Sequence, residues 1–303
     1  MGFASVNGIV GPAEEARVSV LDNGFAFGDS VYEVLRTYGG LAFEPGRHFR
    51  RLRASAARLG FAVPPDDASL LAQVDSLLAR AGKGESYIRI IVSRGLGDCS
   101  YNFERVAGPT VVMIQKPLPP YPARHYEDGI QAAAVGVRRN HPRALDPAIK
   151  SSNLLNNILA VREAQSRGAE EPVLLNQEGF LAEGASTNLF LARGVALLTP
   201  PLSAGILAGI TREVVLELAA ALGIPAREQP LRLDDLLAAD EAFLTSTTRE
   251  VVPVRAVDER RIGTGTPGLL TRRVMEAFRD YAPRHCGQAA LTAGASPSAR
   301  TSG

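Results

Sequence analysis

Ala148-Ile149-Lys150-Ser151-Ser152-Asn153-Leu154-Leu155-Asn156-Asn157-Ile158-Leu159-Ala160 is the stretch around which the rest of the chain is organised. It holds one of only three lysines, Lys83, Lys116 and Lys150. The other strongly basic side chains are arginines, which keep their proton in a protein and cannot act as amine nucleophiles. Three side chains are therefore able to form a Schiff base with an aldehyde. Lys83 lies in Ala81-Gly82-Lys83-Gly84-Glu85, which reads as a solvated turn. Lys116 precedes Pro117 at the end of an apolar run and reads as a strand exit. Lys150 follows Pro147-Ala148-Ile149 and enters an Asn-rich, apolar pattern that predicts a helix over residues 152–167, stopped by Gly168. A lysine among apolar neighbours can have its pKa depressed and become nucleophilic. By spacing alone, Lys150 reads more readily as a solvated residue at a helix start.

The composition bounds the answer. The chain has 303 residues, 46% apolar and 21% charged, which fits an ordinary globular protein of about two domains. A formal net charge of +1 gives no footprint for nucleic acid or an anionic membrane. The two cysteines make no disulfide framework. There is no signal-peptide pattern, no apolar run long enough to span a membrane and no Asn-x-Ser/Thr acceptor, so a cytoplasmic protein is expected. Zinc-ligand spacing, a dinucleotide fingerprint and a P-loop are all missing, and no metal is expected.

Before the lysine stretch, residues 1–42 read as β-rich, with a turn signal at Asp22-Asn23-Gly24. In a strand over residues 31–38, alternation puts Tyr32, Val34 and Arg36 on one face. A phenol and a guanidinium on one face suit a carboxylate, though by themselves they read more readily as packing at a sheet edge. Residues 47–59 form an amphipathic helix by the spacing of Phe49, Leu52, Ala56 and Leu59, and a second helix spans about 68–81. Strands follow at 87–93, where Tyr87 and Arg89 share a face, and at 110–115. Four prolines in residues 117–122 suit an extended linker and mark a domain boundary.

Beyond it, a strand over 130–137 precedes a loop over 140–147. Residues 173–176 and 180–183 flank Gln177-Glu178-Gly179 in a hairpin pattern. Glu183 then opens Glu183-Gly184-Ala185-Ser186-Thr187-Asn188, a glutamate leaving a strand into small residues, a pattern that by itself usually marks a turn. Glycines before a helix over 213–222 expose backbone N–H groups that attract phosphate. A strand ends in the hydroxyl-rich Thr245-Ser246-Thr247-Thr248, and a last helix spans about 266–281. Residues 283–303 carry little apolar pattern and read as a disordered tail.

Taken together, these segments resemble the fold-type IV pyridoxal-phosphate enzymes, also called class IV aminotransferases. The group includes branched-chain, D-amino-acid and (R)-amine transaminases and aminodeoxychorismate lyase. The resemblance rests on the lysine stretch, Phe25-Ala26-Phe27-Gly28-Asp29-Ser30-Val31-Tyr32-Glu33-Val34, the His-x-x-Arg-Leu-x-x-Ser-Ala pattern from His48, and the Glu183 and Thr245 segments. It covers about residues 3–282. It implies an α/β (α+β) fold of two domains with the cofactor in the cleft between them. The small N-terminal domain would take residues 1–116, the linker 117–124 and the large cofactor-binding domain 125–282. It also implies a homodimer and pyridoxal 5'-phosphate held by Lys150, with Glu183 at the ring nitrogen. Arg51, Ile210, Thr211 and Thr247 would anchor the phosphate. Tyr32, Arg36, Tyr87, Arg89, Thr247 and Thr248 would contact substrate.

The implied reaction is transamination between an aliphatic, branched-chain-like amino acid and 2-oxoglutarate. Tyr87-Ile88-Arg89 resembles branched-chain enzymes, whereas Phe27 to Val34 and Lys150 to Leu155 are closer to D-amino-acid enzymes. The Arg-x-His carboxylate trap of the D-amino-acid enzymes is replaced by Cys99-Ser100-Tyr101. The tyrosine that branched-chain enzymes carry after the lysine is replaced by Asn153-Leu154. D-amino-acid transamination, a lyase-type elimination of pyruvate and a non-catalytic cofactor-binding scaffold are the alternatives.

Overall fold

The computed structural model describes residues 2–287. Strands β1 (Phe3–Val6) and β2 (Ile9–Pro12) form a hairpin closed by Val6 opposite Ile9. Its turn is Asn7-Gly8, both left-handed at φ 49° and 86°, a conformation that Asn-Gly adopts at low cost. A short helix α1 (Asn23–Phe27) is capped by the Asp22 side chain, which accepts from the Gly24 amide. Then come β3 (Ser30–Tyr38), β4 (Leu41–Ala42), α2 (Pro45–Arg58), α3 (Asp67–Ala81), β5 (Ser86–Ser93) and β6 (Thr110–Pro117).

These strands make one antiparallel six-stranded sheet in the order β2-β1-β6-β5-β3-β4. Alternation along β3 sends Val31 and Leu35 to the face covered by α2 and α3, where Phe49, Leu52, Leu70 and Leu77 are wholly buried. Each such side chain contributes about 1.5–3 kcal/mol by leaving water. Tyr32, Val34 and Arg36 point to the other, half-open face. Helix α2 starts at Pro45, two residues earlier than the apolar spacing suggests, because proline at the first position loses no hydrogen bond there.

Residues 118–122 connect β6 to α4 (Ala123–Glu127). The rest of the chain builds β7 (Ile130–Ala134), α5 (Leu155–Ser166), β8 (Glu171–Val173), β9 (Asn188–Arg193), β10 (Ala196–Thr199), α6 (Ile210–Ala221), β11 (Ala226–Glu228), α7 (Leu233–Leu237), β12 (Glu241–Ser246), β13 (Glu250–Val257), β14 (Arg260–Arg261) and α8 (Leu269–Tyr281). The second sheet is mixed and runs β11-β10-β9-β12-β13-β7-β8, with β14 beside β13. Its central strands are buried on both faces. Phe190 and Phe243 stack at 5.0 Å on the side covered by α6 and α8, while Leu189, Leu191 and Leu244 join the core with Leu236 on the other side. That is why β9 reads as an uninterrupted apolar run.

Several expected boundaries move for long-range reasons. The helix expected from residue 152 begins at Leu155, since residues 150–152 are held by β3 instead. The hairpin expected around residue 178 is present, with the Leu174 amide donating to the Glu183 carbonyl at 2.9 Å, the Ala182 amide to the Leu174 carbonyl at 2.9 Å and the Asn176 amide to the Phe180 carbonyl at 2.8 Å, while β8 also pairs parallel to β7. The last helix begins at Leu269, not Thr266, because the Glu241 carboxylate accepts from the Leu270 and Thr271 amides.

The expected disordered tail also needs correction at its start. Residues 282–285 form a 3₁₀ turn, Cys286 bridges Phe43, and Gly287 donates to the Ala42 carbonyl at 2.8 Å. Residues 288–303 of that expected tail lie outside the described residues. Among the described residues, no helix is long and apolar enough to cross a membrane.

Candidate active site

Lys150 lies on an extended segment along the part of the β3 edge that β4 leaves free. Its carbonyl accepts from the Tyr32 amide at 2.9 Å, Ser151 bridges Val31, and the Ser152 amide donates to the Ser30 carbonyl at 2.9 Å. The Lys150 amide donates to Ser55 Oγ of α2 at 3.2 Å. Backbone contacts on both flanks thus fix the base of the side chain. Its Nζ sits 4.7 Å from the centre of the Tyr32 ring, and the Arg89 guanidinium lies 4.1 Å from the same ring. Cation–π attraction holds both cations near this phenol. Lys83 and Lys116 are exposed and line neither this cavity nor the one beside it.

Glu183 lines the same cavity as Lys150 and is 5% exposed. Its carboxylate accepts from Arg139 Nε at 2.8 Å, Asn188 Nδ2 at 3.2 Å and the Leu207 amide at 3.1 Å. Arg139 in turn donates to Asn156 Oδ1 at 2.9 Å. Burial pushes the Glu183 carboxyl above its ordinary value, and Arg139, the Leu207 amide and Lys150 pull it partly back. Such a carboxylate suits a partner that brings its own proton and positive charge, as a pyridinium does.

The end of the cavity at the start of α6 is built for an anion. Helix α6 begins after Gly209 with no side-chain cap, so its first amides remain free. A side chain at Gly209 would meet Asn188 Oδ1 at 1.9 Å, so only glycine lets this backbone approach. The hydroxyls of Thr211 and Thr245 are buried and have no protein partner. Unmatched buried hydroxyls cost free energy unless a ligand completes them, so these residues fit a phosphate. Ile210, Thr211 and Thr247 line this end.

Arg51 reaches the same end but is held from behind. Its Nε and Nη2 donate to the two oxygens of Glu33 at 2.7 and 2.8 Å, and its Nη1 donates to the Ala208 carbonyl at 2.7 Å. Glu33 is wholly buried and also meets His48 Nδ1 at 2.7 Å. Burial alone raises the Glu33 pKa, but Arg51 and His48 outweigh it and hold the carboxyl well below the usual carboxylate range. Burial lowers the His48 pKa, so this imidazole stays neutral and donates to Glu33.

A second cavity adjoins the first and shares Tyr32, Lys150 and Thr247 with it. Val34, Ile158 and Val161 give it an aliphatic wall, and Tyr87, Arg89 and Thr248 give it polar groups. Arg89 Nε is buried and unpartnered, a donor free for an anion. Arg36 lies apart from this group. It pairs with Glu250 at 2.9 Å and borders a different groove, so its charge is already matched.

The sequence reading missed Glu33, Arg139, Asn188 and Thr245. Glu33 was detectable, because a carboxylate alternating with Val31 and Leu35 on a core face requires a buried cation. Nothing local announced Arg139, whose partner lies 44 residues away.

Comparison with known proteins matches this architecture to a family. The model of the amino-transferase class IV family matches residues 30–257. A provisionally named branched-chain-amino-acid aminotransferase of Methanocaldococcus jannaschii is 40% identical over 91% of this chain and 94% of its own. A D-alanine aminotransferase of Bacillus licheniformis is 35% identical over 90% of this chain and 95% of its own. A branched-chain amino acid aminotransferase from T.th., solved with N-(5'-phosphopyridoxyl)-L-glutamate, superposes with a TM-score of 0.88 at 30% identity. That match covers 94% of this chain and 95% of the other. The chain therefore belongs to the class IV aminotransferases, a family of pyridoxal-phosphate-dependent enzymes with the fold-type IV architecture.

Proposed function

We propose that the protein transfers an amino group between an aliphatic, branched-chain-like L-amino acid and 2-oxoglutarate, using pyridoxal 5'-phosphate. The observation that carries this reading is the shared cavity, which brings Lys150, the buried Glu183 and the uncapped start of α6 together. Pyridoxal phosphate, when bound, supplies an electron-withdrawing ring that accepts the electron pair left as the substrate Cα–H bond breaks. Lys150 would hold it and, once displaced by the amino donor, move the proton between the substrate Cα and the cofactor C4′ as base and then acid. Glu183 would keep the ring nitrogen protonated. Arg51, Ile210, Thr211, Thr245 and Thr247 would hold the phosphate.

The substrate assignment rests on the second cavity. Val34, Ile158 and Val161 offer an apolar wall for a branched side chain, and Arg89 offers the distal carboxylate of glutamate a fixed cation. The turn at Thr247 and Thr248 would take the α-carboxylate common to every donor. The phosphopyridoxyl-L-glutamate bound to the T.th. enzyme supports glutamate as the second partner. A D-amino-acid transaminase is the second reading, favoured by the 35% identity to the D-alanine enzyme.

The protein would act as a homodimer. Leu155, Ile158 and Leu159 on α5 are 73%, 57% and 51% exposed, with Phe25, Tyr101 and Phe103 also open to solvent. Exposed apolar surface of this extent suits a partner copy. The free cysteines Cys99 and Cys286 fit a reducing, cytoplasmic compartment.

A panel of L- and D-amino acids, followed by cofactor spectra in half-reactions, tests the proposal. L-leucine, L-valine and L-glutamate are expected to convert the cofactor, and D-alanine is not. Conversion by D-alanine alone establishes the second reading instead.

A further inference from the structure

The group that sequence reading assigned to substrate, Arg36, is tied to the backbone of the β12–β13 turn. Its Nη1 donates to Glu250 Oε1 at 2.9 Å and to the Thr248 carbonyl at 3.3 Å. Tyr38, two residues along the same face of β3, donates its hydroxyl to Glu250 Oε1 at 2.9 Å. The Arg36 guanidinium stacks on the Tyr38 ring at 4.1 Å. Burial and the Glu250 carboxylate push the Tyr38 phenol far above its ordinary pKa, so it remains a donor. From helix α4, Tyr126 donates its hydroxyl to the Arg249 carbonyl at 3.2 Å, and Arg249 pairs with Glu171 of β8 at 2.9 Å.

A second, independent feature lies in the backbone. Glu250 takes a left-handed conformation at φ 61°, where glycine is the unstrained residue. A glutamate persists in such a position when its side chain has other work. Here that side chain joins the two sheets through residues 214 positions apart. The strut also sits beside the cavity. Tyr32 and Val34, on the same face of β3 as Arg36, line the substrate cavity together with Thr247 and Thr248.

We infer that Arg36, Tyr38 and Glu250 are positioning residues: they register the Thr247–Thr248 turn of the second sheet against β3, setting the affinity for the α-carboxylate of every substrate. The inference rests on the proposed role of that turn.

Its test compares Arg36→Leu, Arg36→Lys, Glu250→Gly and the Arg36→Leu/Glu250→Gly double variant with the parent holoenzyme. KM for L-leucine and L-glutamate is expected to rise alike in Arg36→Leu, roughly tenfold or more, because the turn supplies orientation and not charge. The change in kcat is expected to be much smaller. The double variant should be no worse than either single variant, as befits two ends of one strut, and Arg36→Lys should recover part of the loss. Glu250→Gly removes the side chain while relieving the backbone, so the thermal midpoint should hold while KM still rises. Amide exchange over residues 246–251 should speed up in every variant that cuts the strut.

Loss confined to L-glutamate would overturn the inference and return Arg36 to direct substrate contact. Unchanged KM and unchanged exchange would reduce the pair to surface decoration. If the parent converts no amino donor at all, the proposed function fails, and the exchange of residues 246–251 alone decides for or against the strut.

Discussion

Replacing Glu33 by Gln is expected to destabilise the cofactor-free protein by roughly 3–5 kcal/mol, the cost of breaking a buried ion pair from one side. Glu33 is wholly buried and receives three charge-assisted hydrogen bonds, two from Arg51 and one from His48, all between 2.7 and 2.8 Å. The amide fills the same volume but offers one acceptor and one donor. Whichever way it turns, an N–H faces another donor, and Arg51 loses its counter-charge at a site where its side chain is 13% exposed. A loss of this size lowers the melting temperature by on the order of 10 °C.

The pH dependence gives an independent arm. Folding holds the Glu33 pKa below its ordinary value of 4.5. Its contribution is therefore complete above that pH and is lost as pH falls toward the folded-state value. The stability gap between parent and variant should stay constant at neutral pH and narrow below about pH 4.5. Thermal or urea unfolding across that range reads both effects. A gap under about 1 kcal/mol at neutral pH, the size of a surface pair, would refute the reasoning. So would a gap that widens on acidification.

Three further outcomes follow from the site. Glu183→Gln should slow Cα proton transfer by on the order of 10²-fold yet retain the cofactor, as stopped-flow spectra and gel filtration would show; early cofactor loss would contradict the assigned role. Arg89→Leu should raise KM for L-glutamate and 2-oxoglutarate roughly 10–100-fold, as expected for a charged hydrogen bond, and spare L-leucine; equal losses for all donors would place Arg89 on the α-carboxylate. Ile158→Asp on α5 should yield a monomer in size-exclusion chromatography where the parent runs as a dimer, and an unchanged elution volume would place the interface elsewhere.

Much of this structure could be read locally. Alternation in residues 31–38 put Tyr32, Val34 and Arg36 on one face, and β3 has that face. The apolar spacing from Phe49 to Leu52 and Ala56 located α2 to within two residues at its start. What failed has long-range causes. Lys150 was assigned to a helix entrance, but β3, more than a hundred residues earlier, holds it extended. The α8 start depends on Glu241, and no local cap signals it.

The same limit shaped the reading of the site. The face of Arg36 was legible, but Glu250, which takes its charge, was not. A free arginine and a paired one look identical in sequence. Thr245 went unremarked beside Thr247 because only burial without a partner distinguishes it.

All of the proposed chemistry depends on Lys150 as the residue that binds the cofactor. Borohydride reduction of the holoenzyme, followed by peptide mapping, tests this most directly. The pyridoxyl group is expected on the peptide containing Lys150, and Lys150→Ala is expected to fold but carry no label and show no turnover. A label on Lys83 or Lys116 would contradict that assignment and the site built around it.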